Sequence, residues 1–255
     1  MSNVSGGGGE LTTELPSFVD FVPIEVHSQF FGLTKHEWVP IIMSATIIIF
    51  LGLFSMIATR RLQKVPGRLQ SLLEIIVEGL ANFTKSQMGR AAAPFIPFVG
   101  TLFIYIFAMN MLGQIPLFHS PTSNFNTTIA LTLIVFFVTH YQGVKNNGVT
   151  GYLKHMAGKP IWLAPLVFPL HLMQELLSRP LSLSMRLFGN IMGEDTIIAI
   201  FIGLSPFLFG LIPIPMHLPM VFLALLGSTI QAMIFSLLAS FYIAGAIGIH
   251  EEENH

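Results

Sequence analysis

The chain contains no cysteine, so it can form no disulfide bond, no thiolate metal site and no thiol nucleophile. Charged residues are also scarce, at 10% of the chain, whereas hydrophobic residues make up 53%. This balance excludes an ordinary soluble domain and indicates a membrane protein that crosses the bilayer several times. Residues 1–39 lack the pattern of a secretory signal or an organelle transit peptide, so we expect a polar tail and no removable presequence.

The short motifs of covalent chemistry are missing as well. No nucleotide-binding loop, nucleophile elbow or paired metal-binding motif is present, and Ser182 and Ser184 have no base close by in the sequence. No internal repeat of broken helices, typical of a secondary transporter, is evident. We therefore expect no catalytic activity in the chain itself, no cofactor, no metal and no nucleic-acid partner. The histidine spacing does not predict a metal site at His119, His140, His171 or His217.

Long runs without charge predict where the chain crosses the membrane. Residues 40–59 form one run of spanning length, and residues 91–144 contain no Asp, Glu, Lys or Arg. A turn-rich stretch at 116–124 divides the second run into a hairpin of two helices. Residues 161–203 and 217–249 each exceed the ~20 residues that cross the hydrocarbon core, so we expect a strongly tilted helical hairpin with a kink at Pro180 in its first arm. The predicted fold is thus an all-α membrane protein with five spanning helices.

The basic residues predict the orientation of these helices. Nine of the twelve Lys and Arg residues lie in segments 60–90 and 145–160, which the positive-inside rule assigns to the cytoplasm. The second of these segments is expected to be a loop, and residues 69–89 an amphipathic helix on the membrane surface. Residues 1–39 are then an exterior tail, and residues 40–255 form one membrane domain whose C-terminus is cytoplasmic.

Arg186 is the most unusual residue of the apolar segments. Its guanidinium cannot lose its proton, and holding it inside a membrane costs at least about 2.5 kcal/mol. An intramembrane charge of this kind predicts a site on an ion or substrate path. The charged residues between positions 161 and 249 are Glu175, Arg179, Arg186, Glu194 and Asp195.

Helical spacing brings further polar residues onto the face of Arg186. On an ideal helix, Glu194 falls about 80° from Arg186, and Asp195 about 180° from it. The arginine and the two acids are therefore expected to face different parts of the structure, with Asp195 directed toward an aqueous pocket or a neighbouring helix. The residues that share the face of Arg186 are Glu175, Arg179, Ser182 and Asn190.

Structural interpretations of these residues stay open beside the functional one. Arg186 either faces an ion path or forms an internal salt bridge with Glu175, which is also a candidate relay. Arg179 shares the path, snorkels to the interface or binds Glu175. Glu194 and Asp195 either line the path or end their helix at the level of the lipid headgroups.

Two residues of the last segments add to the candidate site. Gln231 can donate and accept hydrogen bonds, so it either bridges to the helix of Arg186 or only holds two helices together. His217, close to the turn that we expect on the exterior, is a candidate proton relay because an imidazole titrates near neutral pH.

Three sequence motifs resemble subunit a of the F-type ATP synthase, the stator subunit that faces the rotating c-ring. They lie at residues 179–190, 110–116 and 231–235, and their order and spacing fit across residues 38–250. The resemblance implies an ion-translocating membrane subunit with two aqueous half-channels that couples proton flow to ring rotation and ATP synthesis. The implied partners are the c-ring, the peripheral-stalk b subunits, the F1 sector and membrane lipid, and the implied location is a bacterial cell inner membrane.

The same resemblance assigns roles to individual residues. It implies that Arg186 is the essential arginine beside the c-ring carboxylates, and that Asn190, Asp195 and Gln231 lie along the ion path. The chain departs from many members of the family at two positions, where it has Ala224 in place of Glu or His, and Asn124 in place of Asp. We expect the neighbouring acids Glu194 and Asp195 to compensate. The coupling ion, proton or sodium, stays open.

Overall fold

A computed structural model of the chain describes residues 35–60, 67–115, 118, 120–157, 164–208 and 218–248. Within these residues all the regular structure is helical, as the apolar runs predict. Two short 3₁₀ turns, Gly89–Ala92 and Pro121–Ser123, flank the third helix. The helices are α1 (Lys35–Thr59), α2 (Arg68–Met88), α3 (Ile96–Gly113), α4 (Phe125–Ala157), α5 (Ala164–Met173), α6 (Arg179–Leu208) and α7 (Leu218–Ile247).

Four of these helices have the length and the apolar composition to cross a membrane. The helix α6 has 30 residues, but its two arginines and two acids reduce its apolar character. It belongs to the fourth predicted span, residues 161–203, which therefore stays a prediction. The four spans are Trp38–Thr59, Ile96–Gly113, Phe125–Tyr152 and Leu218–Ile247.

The first span begins earlier than its charge-free run. Helix α1 starts at Lys35 and includes Pro40. Pro40 is the sixth residue of this helix, so its missing N–H leaves one carbonyl of the first turn without its intrahelical donor. The prediction of a start at residue 40 was therefore too late. The predicted exterior tail, residues 1–39, lies almost wholly outside the described residues.

The return loop predicted at residues 145–160 was largely wrong, because helix α4 continues to Ala157. The helix is interrupted only at Gly148, whose φ of 68° lies in the left-handed region that glycine adopts without strain. Beyond this turn, the ring of Tyr152 packs back over Gly143, where a Cβ would overlap it. The side chain of Asn147 also donates to the carbonyl of Ala246, at 2.9 Å. Tertiary contacts thus hold a polar segment helical.

The long segment that begins near residue 161 is broken one turn before Pro180. Residues Gln174–Ser178 form a π-helical turn between α5 and α6. Pro180 has no backbone N–H to donate, and its ring crowds the preceding helical turn. A π turn is wider than an α turn and so relieves this crowding. A π turn therefore lies just before the position of the expected kink, which itself stays a prediction, and α6 extends to Leu208 instead of ending near residue 203.

The core lies where α3, α4, α6 and α7 meet. The inner face of α6 contributes Leu183, Leu187 and Ile191, which are at most 2% exposed. Small residues on α7 let the helices approach closely, as is usual in membrane bundles. The buried small residues of α7 are Ala224, Ser228, Ala232, Ser236, Ala239, Ser240, Ala244 and Ala246.

The predicted surface helix is present as α2, but its apolar stripe has two environments. Thr84 and Met88, near its C-terminal end, are fully buried. Leu72, Ile75 and Val77, nearer its N-terminal end, are more than half exposed. An apolar surface of this kind on one half of a helix suits contact with lipid. The location of α2 at the membrane surface remains a prediction.

The predicted orientation can be tested by labelling single cysteines, since the chain has none of its own. Arg68 and Asn126 are both exposed. We expect a membrane-impermeant thiol reagent to label Arg68→Cys only from the cytoplasmic side and Asn126→Cys only from the exterior, because the basic segments stay inside. Labelling of both cysteines from the same side would contradict the topology.

Candidate functional site

Arg186 lies on the outer surface of α6. Its side chain is exposed, and the neighbouring Met185 and Met192 are each 51% exposed. Among the described residues Arg186 has no ion-pair or hydrogen-bond partner. A permanent positive charge therefore stands on an apolar surface without a counter-ion from the described part of the chain.

The other arginine of the stripe does have a partner. Arg179 forms an ion pair with Glu175, one turn earlier. Its guanidinium carbon also lies 5.1 Å from the centroid of the Tyr242 ring, within the range of a cation–π contact. The proposed salt bridge between Arg186 and Glu175 was therefore wrong, and the alternative pairing of Glu175 with Arg179 is confirmed.

An amide bridge joins α6 to α7 one turn beyond Arg186. Asn190 Nδ2 donates to Gln231 Oε1 at 3.4 Å, so Gln231 does contact the helix of Arg186. The side chain of Gln231 is 2% exposed, and its Nε2 has no acceptor among the described residues. A buried donor without an acceptor is costly, and it favours a water or an external acceptor at this point.

Glu194 packs against α7 instead of ending its helix in solvent. Its Oε2 accepts a hydrogen bond from Ser228 Oγ at 3.1 Å, and its Oε1 touches the surface at Gly227. Asp195 is half-buried. Glu194 therefore contacts α7, whereas the expected direction of Asp195, away from Arg186, stays a prediction.

A buried chain of hydrogen bonds leads from the turn before α4 to the backbone of Ser228, the residue whose hydroxyl donates to Glu194. Ser120 Oγ and Thr122 Oγ1 are 2.6 Å apart, and the Thr122 hydroxyl donates to Asn110 Oδ1 at 2.7 Å. Asn110 Nδ2 donates in turn to the carbonyl oxygen of Ser228, at 3.3 Å. These four residues are at most 2% exposed. Sequence reasoning identified only Asn110 among them, as part of a motif, although small polar residues in charge-free spans were a usable signal.

A small, partly open cavity with room for about one water lies at the other end of the site, among α4, α6 and α7. Its walls include Thr139, His140, Glu175, Arg179 and Tyr242. His140 Nδ1 donates to a backbone carbonyl at 2.9 Å. Thr139 Oγ1 and His140 Nε2 have no partner among the described residues. The lining is otherwise almost wholly apolar, so these two atoms are the groups that a water in the cavity would bind.

The two departures from the family pattern are structurally simple. Asn124 Oδ1 accepts a hydrogen bond from the backbone N–H of Asn126 at 2.9 Å, so Asn124 shapes the turn that starts α4. Ala224 is buried and carries no titratable group.

The candidate relay His217 and also His119 lie outside the described residues. No three His, Asp or Glu side chains in the described ranges converge on a metal position.

These features define a class: a helical membrane protein with a lone arginine between two separate polar regions. Comparison with known proteins gives the family. The model of the family described as "ATP synthase A chain" matches residues 15–244. The chain belongs to this family, which confirms the resemblance that its motifs suggested.

Bacterial relatives match most of the chain. "ATP synthase subunit a 3" of Pelobacter propionicus is 44% identical over 209 residues, which are 82% of this chain and 86% of the relative. "ATP synthase subunit a" of Protochlamydia amoebophila is 37% identical over 248 residues, or 94% and 90% of the two chains. The subunit of Geobacter sp. strain M21 is 45% identical over 201 residues, or 79% and 84%.

The buried hydrogen bonds of Asn110 predict a loss of stability when they are removed. Asn110→Ala leaves the Thr122 hydroxyl and the Ser228 carbonyl without their partner, which should cost about 1–3 kcal/mol. We expect the thermal transition of the solubilised complex to fall by several degrees for this variant. Asn126→Ala, an exposed control, should leave it unchanged. Equal transition temperatures for the two variants would contradict the importance of this network.

Proposed function

We propose that the chain is the ion-translocating stator subunit of the membrane sector of a rotary F-type ATP synthase. The observation that carries the proposal is the exposed Arg186, which has no partner among the described residues and lies on an apolar face of α6. Membership in the ATP synthase A chain family supports it. In this role the chain is not itself a catalyst, since nucleotide chemistry belongs to the F1 sector.

The charge of Arg186 explains how rotation is coupled to ion flow. A ring of c subunits that carry carboxylic acids passes along the outer face of α6. A carboxyl group next to the guanidinium is favoured in its ionised form, because the two opposite charges attract strongly in a medium of low dielectric constant. Each carboxyl therefore gives up its proton before it passes Arg186, and no proton can move straight across the interface.

Two aqueous half-channels complete this mechanism, one on each side of Arg186. On an α-helix Arg179 lies about 10 Å along the axis before Arg186, and Glu194 about 12 Å after it. The exterior half-channel is supported by Glu194, Asp195 and the hydrogen-bond chain that reaches Ser228. The cytoplasmic half-channel is supported by the Glu175–Arg179 ion pair and by the small cavity beside it, where Thr139 Oγ1 and His140 Nε2 have no described partner. The amides of Asn190 and Gln231 stand between the two regions.

The membrane potential gives this path a direction. One charge that moves through 100 mV changes its free energy by about 2.3 kcal/mol, and offset half-channels convert that energy into rotation of the ring.

The peripheral-stalk b subunits hold the chain stationary against the F1 sector, and a bacterial inner membrane surrounds it. The N-terminus is exterior and the C-terminus is cytoplasmic.

Replacement of Arg186 tests the proposal most simply. Arg186→Ala should leave the complex assembled, since the side chain contacts no described partner, but should abolish ATP synthesis driven by an ion gradient and allow passive ion flux. Arg186→Lys should be nearly as harmful, because an ammonium lacks the planar donor fork and loses its proton more readily in an apolar site.

The measurements are gradient-driven ATP synthesis and passive proton flux in vesicles that hold the assembled complex. Ile200→Ala, an exposed apolar position on the same helix, is the control and should retain synthesis. Substantial coupled synthesis with alanine at position 186 would overturn the mechanism and would transfer the role to Arg179 or leave the stripe purely structural.

The acid pair should act through protonation and not through packing. The double variant Glu194→Gln with Asp195→Asn keeps the size and hydrogen-bonding capacity of both side chains, so we expect normal assembly and a severe loss of ion-driven synthesis. Either single change should be milder, because the remaining acid can carry the proton. Normal proton flux in the double variant would exclude this pair from the exterior half-channel.

A further inference from the structure

Helices α6 and α7 leave a small gap at Gly227, and the side chain of Glu194 fills it. A Cβ at Gly227 would overlap Glu194 Oε1 and would lie 3.3 Å from Glu194 Cδ. The three atoms nearest to that position all belong to Glu194. The missing side chain of Gly227 therefore makes room for a carboxylate and not for a neighbouring backbone.

The next residue of α7 holds the other oxygen of the same carboxylate. Ser228 Oγ donates to Glu194 Oε2 at 3.1 Å, while the carbonyl of Ser228 accepts from Asn110 Nδ2 at 3.3 Å. The hydrogen bond from Asn110 on α3 thus holds α7 in place at Ser228, the residue that binds the Glu194 carboxylate. The backbone at Gly227 is consequently less able to move than the flexible end of the glutamate.

We propose that Gly227 is a positioning residue that seats the carboxylate of Glu194 beside Ser228 in the exterior half-channel. The inference deepens the proposed function and rests on it. Glycine inside a helix costs about 1 kcal/mol relative to alanine, so a glycine here needs a compensating use. Gly245, on the same helix, has nothing within 4 Å of its Cβ position and offers no such seat.

The effect of an alanine at position 227 depends on whether the helix backbone or the Glu194 side chain moves to make room for it. A methyl group at position 227 meets the end of a flexible side chain, so α6 and α7 can stay packed while the carboxylate moves away. Glu194 then loses its hydrogen bond from Ser228 and leaves its position on the path. We expect assembly to survive and transport to fall, since misplacement of a reacting group by about 1 Å can cost a large factor in rate.

The test is a set of variants in the complete ATP synthase complex, assayed for gradient-driven ATP synthesis in vesicles with equal amounts of assembled subunit. Gly227→Ala should lower the rate about fivefold relative to the control Gly245→Ala. Adding Glu194→Asp to Gly227→Ala should restore at least half of the loss, because the shorter side chain leaves space for the methyl group. Adding Gly227→Ala to Glu194→Gln should have no further effect, because no carboxylate remains to be displaced.

The outcomes separate a positioning role from a structural one. Equal rates for Gly227→Ala and Gly245→Ala, or a loss that Glu194→Asp does not relieve, would overturn the inference while Arg186→Ala still tests the function independently. A further loss when Gly227→Ala is added to Glu194→Gln would show a packing defect and would also overturn it. Normal synthesis with Glu194→Gln would remove Glu194 from the path and this role of Gly227 with it.

Discussion

A guanidinium keeps its positive charge even inside a membrane, and this constraint governs the arrangement around Arg186. Glu175 neutralises Arg179, whereas no described residue neutralises Arg186. On α6 the structure therefore presents a charge without a described counter-ion. Polar contacts lie on both sides of it along the helix, at Glu175–Arg179 and at Glu194–Ser228.

The inner face of α6 makes this exposure possible. Leu183, Leu187 and Ile191 anchor the helix in a core shared with α3, α4 and α7, while Met185 and Arg186 remain outside. Small residues on α7 bring the two helices close enough for Asn190 to reach Gln231 and for Glu194 to reach Ser228. Packing of the apolar side thus determines where the polar side chains point, which links the membrane core to the proposed path.

Charge and apolar length in the sequence predicted the helical class and, approximately, the first, second, third and fifth spans. The role of Arg186 stays a prediction. The bend at Gly148 and the helix beyond it were missed, because Tyr152 and Gly143 meet only through the folded chain. The same holds for Ser228, whose partners Asn110 and Glu194 are 118 and 34 residues away in sequence. Periodicity describes one helix at a time and contains no information about such contacts.

The central claim is that the Arg186 face of α6 meets the carboxylate-bearing helix of the c-ring. Disulfide cross-linking measures this directly, because the chain has no cysteine of its own. Single cysteines at the exposed positions Met185 and Gly189 should cross-link, in the assembled complex, to a cysteine placed beside the c-subunit carboxyl. A cysteine at the buried Leu187 should not. Cross-linking at Leu187 but not at Met185 or Gly189 would contradict the account.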